Sequence, residues 1–185
     1  MVTAHRRESY GAGLENVFKA LSAFAWKYQD EVGFIHPVHP NPAVKEALSR
    51  TDFHSRKNVF SCDPVSYLNM VHILLHIDYI ATDSGGLQEE GSALGKRVIC
   101  LRDITERHEG VWDGLEVLTG TDPKKIIEAC EAVMQKSSHI PSYVYGDGNA
   151  CMRIINILET EYPHFLLDKK SWIDSASSDC KEKNI

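Results

Sequence analysis

The sequence predicts an α/β domain with a doubly wound, mostly parallel sheet. Two observations carry this. Short apolar runs of strand character alternate at least five times with segments of helical periodicity, the pattern of parallel strands joined by crossover helices. Several of the helical segments also open on a capping residue followed by proline, which marks where a crossover begins.

Taken in order, MVTA (1–4) reads as the end of a strand. Residues 13–28 place Leu14, Val17, Phe18, Leu21, Phe24 and Ala25 at helical spacing. VGFIHPV (32–38) reads as a buried strand, and Asn41 with Pro42 then starts a helix. NVFS (58–61) is a short strand, and Asp63 with Pro64 repeats the cap-plus-proline start before VSYLNMVHILLHI. DYIAT (78–82) is a strand, 84–95 a helix closing near Gly95, and RVICL (97–101) a strand. GLEVL (114–118) is a further strand candidate, Asp122–Pro123 opens a helix to residue 135, and 148–162 is amphipathic. The polar end, SWIDSASSDCKEKNI, reads as a frayed tail. With no internal repeat or low-complexity linker, the expected organisation is one domain over 1–165 and a tail over 166–185.

At 185 residues, with 43% hydrophobic and 25% charged, the chain is long enough for one sizeable core. A net charge of −6 gives no basis for nucleic acid or an anionic membrane as partner. No apolar run reaches the roughly 20 residues of a membrane span, and MVTAHRRESY has no apolar leader core. Cys62, Cys100, Cys130, Cys151 and Cys180 are unclustered and odd in number. That favours reduced thiols and a cytoplasmic location over a disulfide framework.

Asp83-Ser84-Gly85-Gly86 follows the strand at 78–82, where ligands bind in open α/β sheets. Glycines admit a ligand close to the backbone, and a helix start presents open N–H groups and a positive dipole end. Together these favour a phosphate or carboxylate. Ser84 is placed to cap the helix and donate to the same anion, and Glu90 lies far enough along to reach ribose hydroxyls. The competing reading is a tight turn in which Ser84 is only an N-cap, because short glycine motifs are weak signals.

A second feature favours the ligand. His5-Arg6-Arg7-Glu8 follows the first strand. In the order 3-2-1-4-5-6, strands 1 and 4 are neighbours at the switch point, so this loop and the glycine loop face one crevice. A histidine and arginines beside an anion-binding helix start make a pyrophosphate site; the alternative is a salt-bridged surface turn. Arg107, in the loop after the fifth strand, is placed to reach the same anion; its alternative is a charged loop. His36 and His39 resemble a metal pair, but no third ligand accompanies them, so no metal is expected. His72 and His76 read as packing residues. G-x-S-x-G, the Walker lysine and a CxxC zinc set are not found.

These motifs resemble the carboxyl-terminal half of the non-hydrolysing bacterial UDP-N-acetylglucosamine 2-epimerases. The matching pieces are VTAHRRES (2–9), HPVHPNPAV (36–44), TDSGGLQEE (82–90), LGKRV, RDITER (102–107), LTGTD (118–122) and YGDGNACMRI (145–154). They run in order along nearly the whole chain. The resemblance implies a glycosyltransferase-B-like fold of two Rossmann-like domains, of which this chain is the second and the amino-terminal one is absent. It implies interconversion of UDP-N-acetylglucosamine and UDP-N-acetylmannosamine through elimination and re-addition of UDP, with no cofactor. By motif match, Ser84, Gly85 and Gly86 would contact the phosphates, Glu90 the ribose, and His5 would act in catalysis. Arg6, Glu8 and His39 match a region where a second nucleotide-sugar binds as activator. The expected partners are UDP and a UDP-N-acetylhexosamine, with a separate amino-terminal half-chain and a homodimer as further expectations.

Three departures stand out. His108 replaces the family's proline after Arg107, which puts that arginine's aim in question. Met70 stands where the family often has an aromatic near the uracil. Gly91 replaces a commoner alanine, with little expected consequence. The rival readings are a non-catalytic nucleotide-sugar binding module, a glycosyltransferase-B transferase half, and a remnant without function.

Overall fold

The computed structural model describes residues 1–135 and 141–162. The described residues fall into two compact units, the first Met1–Tyr145 and the second beginning at Gly146. The tail expected over 166–185 lies outside the described residues, as does Cys180.

In the first unit, β1 (Val2–Thr3), β4 (Tyr79–Thr82), β5 (Arg97–Cys100) and β6 (Glu116–Leu118) form a four-stranded sheet in that order. β2 (Phe34–Pro37) and β3 (Val59–Cys62) form a second sheet, and every ladder is parallel. β2 lies beside β1. The expected 3-2-1-4-5-6 order is therefore present in space, with a seam between β2 and β1 where the hydrogen-bonded ladder is interrupted.

Side chains leave a strand alternately to its two faces, and the cores divide accordingly. Ala81, Ile99 and Leu101 join the core formed with α1 (Ala12–Lys27), α2 (Pro42–Ser49) and α6 (Pro123–Met134). Ile80 and Val98, one residue out of phase, pack with Leu74 of α3 (Tyr67–His76) and Leu87 of α4 (Gly85–Ala93). Helices on both faces make the sheet doubly wound. α5 (His108–Trp112) is a short helix the sequence did not announce. In the second unit, α7 (Ala150–Glu161) follows a turn in which Arg153 pairs with Asp147.

Two of the three cap-plus-proline starts stand as expected. Asn41 accepts from the Ala43 amide, and Asp122 from those of Lys124 and Lys125. The third does not. α3 begins three residues beyond Pro64, where Ser66 accepts from the Asn69 amide, and Asp63 and Pro64 form an exposed bend. Gly91 also departs from expectation. It lies inside α4, and a Cβ there would stand 2.8 Å from Ile80 and 2.9 Å from Val98. Its bare backbone lets α4 approach the sheet, so an alanine would force the core side chains to give way.

Candidate functional site

β1 and β4 pair in register, Thr3 against Thr82, so their following loops leave the sheet together. The two hydroxyls meet at 2.6 Å, the last tie before the strands end. Asp83 is the residue that joins the two loops. Its carboxylate accepts from the backbone amides of His5 (2.6 Å) and Arg6 (2.7 Å), and its carbonyl accepts from Arg6 Nε (3.2 Å). The side chain is 1% exposed. His5 Nδ1 stands 3.3 Å from the second carboxylate oxygen, near enough for attraction but outside hydrogen-bond geometry. That contact favours the tautomer with the proton on Nδ1, leaving Nε2 without a protein partner. The His39 ring stacks on His5 at 4.7 Å and 4° between planes. Asn41 N donates to His39 Nδ1, which fixes the second ring. Burial, then the neighbouring His5, lower the His39 pKa, with Asp83 opposing.

Ser84 occupies the N-cap position of α4 but makes no capping bond; its own amide donates to Thr82 Oγ1. The expected cap is thus missing, and the hydroxyl and the first amides of α4 are left for another acceptor. Arg107 lies against this helix start. A Cβ on Gly85 would come within 2.8 Å of its guanidinium carbon, so glycine there makes room for the arginine. Glu89 holds the guanidinium from below, at 2.8 and 2.9 Å. Without the proline, Arg107 still lies against the start of α4, outside the lining of the cavity described below. Its turn is fixed instead by buried Thr105, whose hydroxyl accepts from Arg107 N and bonds Gln88 at 2.7 Å. Gln88 in turn donates to the Ser84 carbonyl. Gly86 differs from Gly85: it is exposed, and a Cβ would meet nothing nearer than Ser84 Oγ at 4.0 Å.

Of these groups, His5, His39 and Ser84 line a cavity of about 450 Å³. Its lining also includes Pro64, Tyr67, Met70 and Glu90. Burial, then the charge of Glu89, raise the Glu90 pKa, while the Tyr67 hydroxyl opposes them. A second cavity, about 400 Å³, opens at the amino ends of the strands. Its lining is largely apolar, and its charged members include Glu31 and Asp78, which repel an anion.

The structure thus brings His5, His39, Ser84 and Glu90 to one cavity, with Arg6 tied to Asp83 and Arg107 against Gly85, which Gly86 follows in the chain. Glu8 turns aside to pair with Arg102 at 2.8 Å, tying the loop after β1 to the loop after β5. His36 does not line the cavity; it is buried among Phe18 and Phe53. His72 and His76 lie on the surface of α3 with their rings tilted against each other at 4.4 Å. Among the described residues no group of three or more His, Cys, Asp or Glu is arranged to hold a metal ion. The sequence reading missed Asp83, Gln88 and Thr105. Their position was readable in the motif, but their partners lie across the fold.

The family model for UDP-N-acetylglucosamine 2-epimerase matches residues 1–159. The chain belongs to that family. It is 42% identical over 164 residues to the UDP-N-acetylglucosamine 2-epimerase of Escherichia coli K12, covering 86% of this chain and 43% of that protein. Among solved structures it resembles the UDP-GlcNAc 2-epimerase of Neisseria meningitidis bound to UDP-GlcNAc, with a TM-score of 0.76 at 37% identity over 85% of this chain and 43% of that one. It also resembles an S. aureus protein solved with UDP, with a TM-score of 0.78 at 33% identity over 85% and 44%. The chain therefore has the α/β fold of one Rossmann-like half of these enzymes, and it spans less than half the length of the family members it matches.

Proposed function

We propose that this chain is the UDP-binding half of a UDP-N-acetylglucosamine 2-epimerase. Ser84 and the amides of Gly85 and Gly86 receive the diphosphate, with the Arg107 charge behind them. Glu90 takes the ribose hydroxyls, and the base lies toward Met70, whose thioether packs on an aromatic face. The reaction removes the sugar's C2 proton, breaks the C1–oxygen bond and releases UDP. The proton then returns to the opposite face, and UDP re-adds to C1. His5, held by Asp83 and His39, stabilises or protonates the departing diphosphate. A second nucleotide-sugar would approach through Arg6 and His39, with Glu8 at its margin. Turnover takes place in the cytoplasm and requires an amino-terminal half carrying the groups that move the C2 proton; a homodimer is the further assembly we expect.

The observation that carries this reading is the convergence at one sheet edge of an uncapped helix start, an arginine and an oriented histidine. Calorimetric titration with UDP tests it. We expect saturable binding of one UDP, weakened by Ser84→Ala and by Arg107→Ala; a chain that folds but binds no UDP overturns the reading. A non-catalytic nucleotide-sugar binding module would also bind UDP but would stay inactive when an amino-terminal half is added.

A further inference from the structure

We propose that Tyr145, supplied with a hydrogen bond by a protonated Glu116, is a positioning residue for Arg107. The functional consequence rests on the diphosphate site proposed above.

Counting protons at the Tyr145 hydroxyl leads to this assignment. The oxygen has three neighbours: Gly110 N at 2.9 Å, Glu116 Oε1 at 2.9 Å and the Arg107 carbonyl at 3.0 Å. A phenol has one proton to give. Gly110 N–H donates to it, which leaves two oxygens competing for that proton. Were Glu116 a carboxylate, it would take the proton and the Arg107 carbonyl would face a lone pair. With a proton on Glu116 Oε1, the acid donates to Tyr145 and Tyr145 donates to Arg107. All three contacts are then satisfied.

The surroundings favour the neutral acid. Glu116 is 2% exposed on β6, and its second oxygen is buried without a partner. Facing it are Ser92 of α4 at 3.4 Å, Gly110 and Glu109 of α5, Cys100 of β5, Arg107 and Tyr145. Among the described residues no arginine or lysine forms an ion pair with it. Burial is the largest influence on its pKa and raises it; the hydrogen bonds with Tyr145 and Ser92 and the charge of Arg107 oppose, and Glu109 adds to the rise. Gly110 is part of the same device, since a Cβ there would overlap both Glu116 and the Tyr145 hydroxyl. Arg107 is thereby tied on both sides, its amide to Thr105 and its carbonyl to Tyr145. The guanidinium reaches the start of α4 from a fixed turn, in place of the one a proline would shape.

The test compares wild type, Glu116→Gln and Tyr145→Phe. Difference infrared spectra at neutral pH should contain the carbonyl stretch of a protonated carboxyl that Glu116→Gln removes. Its absence overturns the proposal whether or not UDP binds. By calorimetry, Glu116→Gln, whose amide donates in place of the acid, should bind UDP within about twofold of wild type. Tyr145→Phe should bind about tenfold more weakly. Wild-type affinity should fall as pH rises through the Glu116 titration, relative to a Glu116→Gln profile that shares every other titrating group. Equal affinity of Tyr145→Phe and wild type, or parallel pH profiles for wild type and Glu116→Gln, overturns the positioning role. If Tyr145→Phe does not fold, the Glu116→Gln profile decides. If wild type binds no UDP, the diphosphate reading fails and the infrared band alone decides the arrangement.

Discussion

Gly85 and Gly86 are adjacent in the chain and answer to different demands. The first gives room to Arg107, so Gly85→Ala displaces the guanidinium. The second has open space where a side chain would stand and needs no unusual backbone. Nothing in the protein requires a glycine there; on the proposed reading, a diphosphate held against the backbone does. We therefore expect Gly86→Ala to leave the fold intact or stabilise it by up to about 1 kcal/mol through helix propensity. UDP affinity should drop several-fold, read by a urea melt and a titration on the same sample. Asp83 acts the opposite way. It accepts two amides from across the sheet, so Asp83→Ala should cost about 2–3 kcal/mol in a urea melt, because buried N–H groups lose their acceptor. The motif alone pointed to His5, Ser84 and Glu90, because their chemistry is visible in their residue types. It could not point to the work of Asp83, whose partners stand 77 and 78 positions away.

At the scale of elements, β2 carries a histidine where a core strand favours an apolar side chain. His36 is 1% exposed between Phe18 and Phe53, and its Nδ1 has no partner. Burial, reinforced by His54, lowers its pKa from 6.5 to about 4. The unfolded chain therefore binds more protons than the folded one between these values, and stability rises with pH across that window. Below about pH 6.5 we expect a progressive loss amounting to about 3 kcal/mol by pH 4. The difference between wild type and His36→Phe, measured by denaturant melts at several pH values, isolates it from the carboxylates. The same strand shows what sequence can and cannot tell about elements. Its apolar run marked it as buried, and alternation with helices gave the sheet order. Local start signals were less dependable. Asp63–Pro64 has the same chemistry as Asp122–Pro123, yet Ser66 wins the α3 cap because its hydroxyl reaches the Asn69 amide. α5, five residues long, is too short to show a period.

For the whole molecule, the question is what a half-length relative of these epimerases does alone. Epimerisation at C2 needs one group to take a proton from one face of the sugar and another to return it to the other face. Of the residues lining the 450 Å³ cavity, Glu90 is the sole carboxylate, and it is hydrogen-bonded to Tyr67. On the proposed reading His5 and Ser84 stand at the diphosphate, where they serve the departing group. On that reading the described residues grip UDP and help its release, and the cavity lining offers no second carboxylate to form an acid–base pair across a sugar ring. The family motifs made this reading legible, and the chain spans less than half the length of the relatives it matches. We expect the purified chain to bind UDP and yet form no UDP-N-acetylmannosamine from UDP-N-acetylglucosamine, followed by proton NMR of the anomeric signals. Adding an amino-terminal half, co-expressed from a related epimerase, should restore turnover, and His5→Ala in this chain should then abolish it without loss of UDP binding. Turnover by the chain alone would show that the proton-transfer groups lie within it and would refute the division of labour argued here.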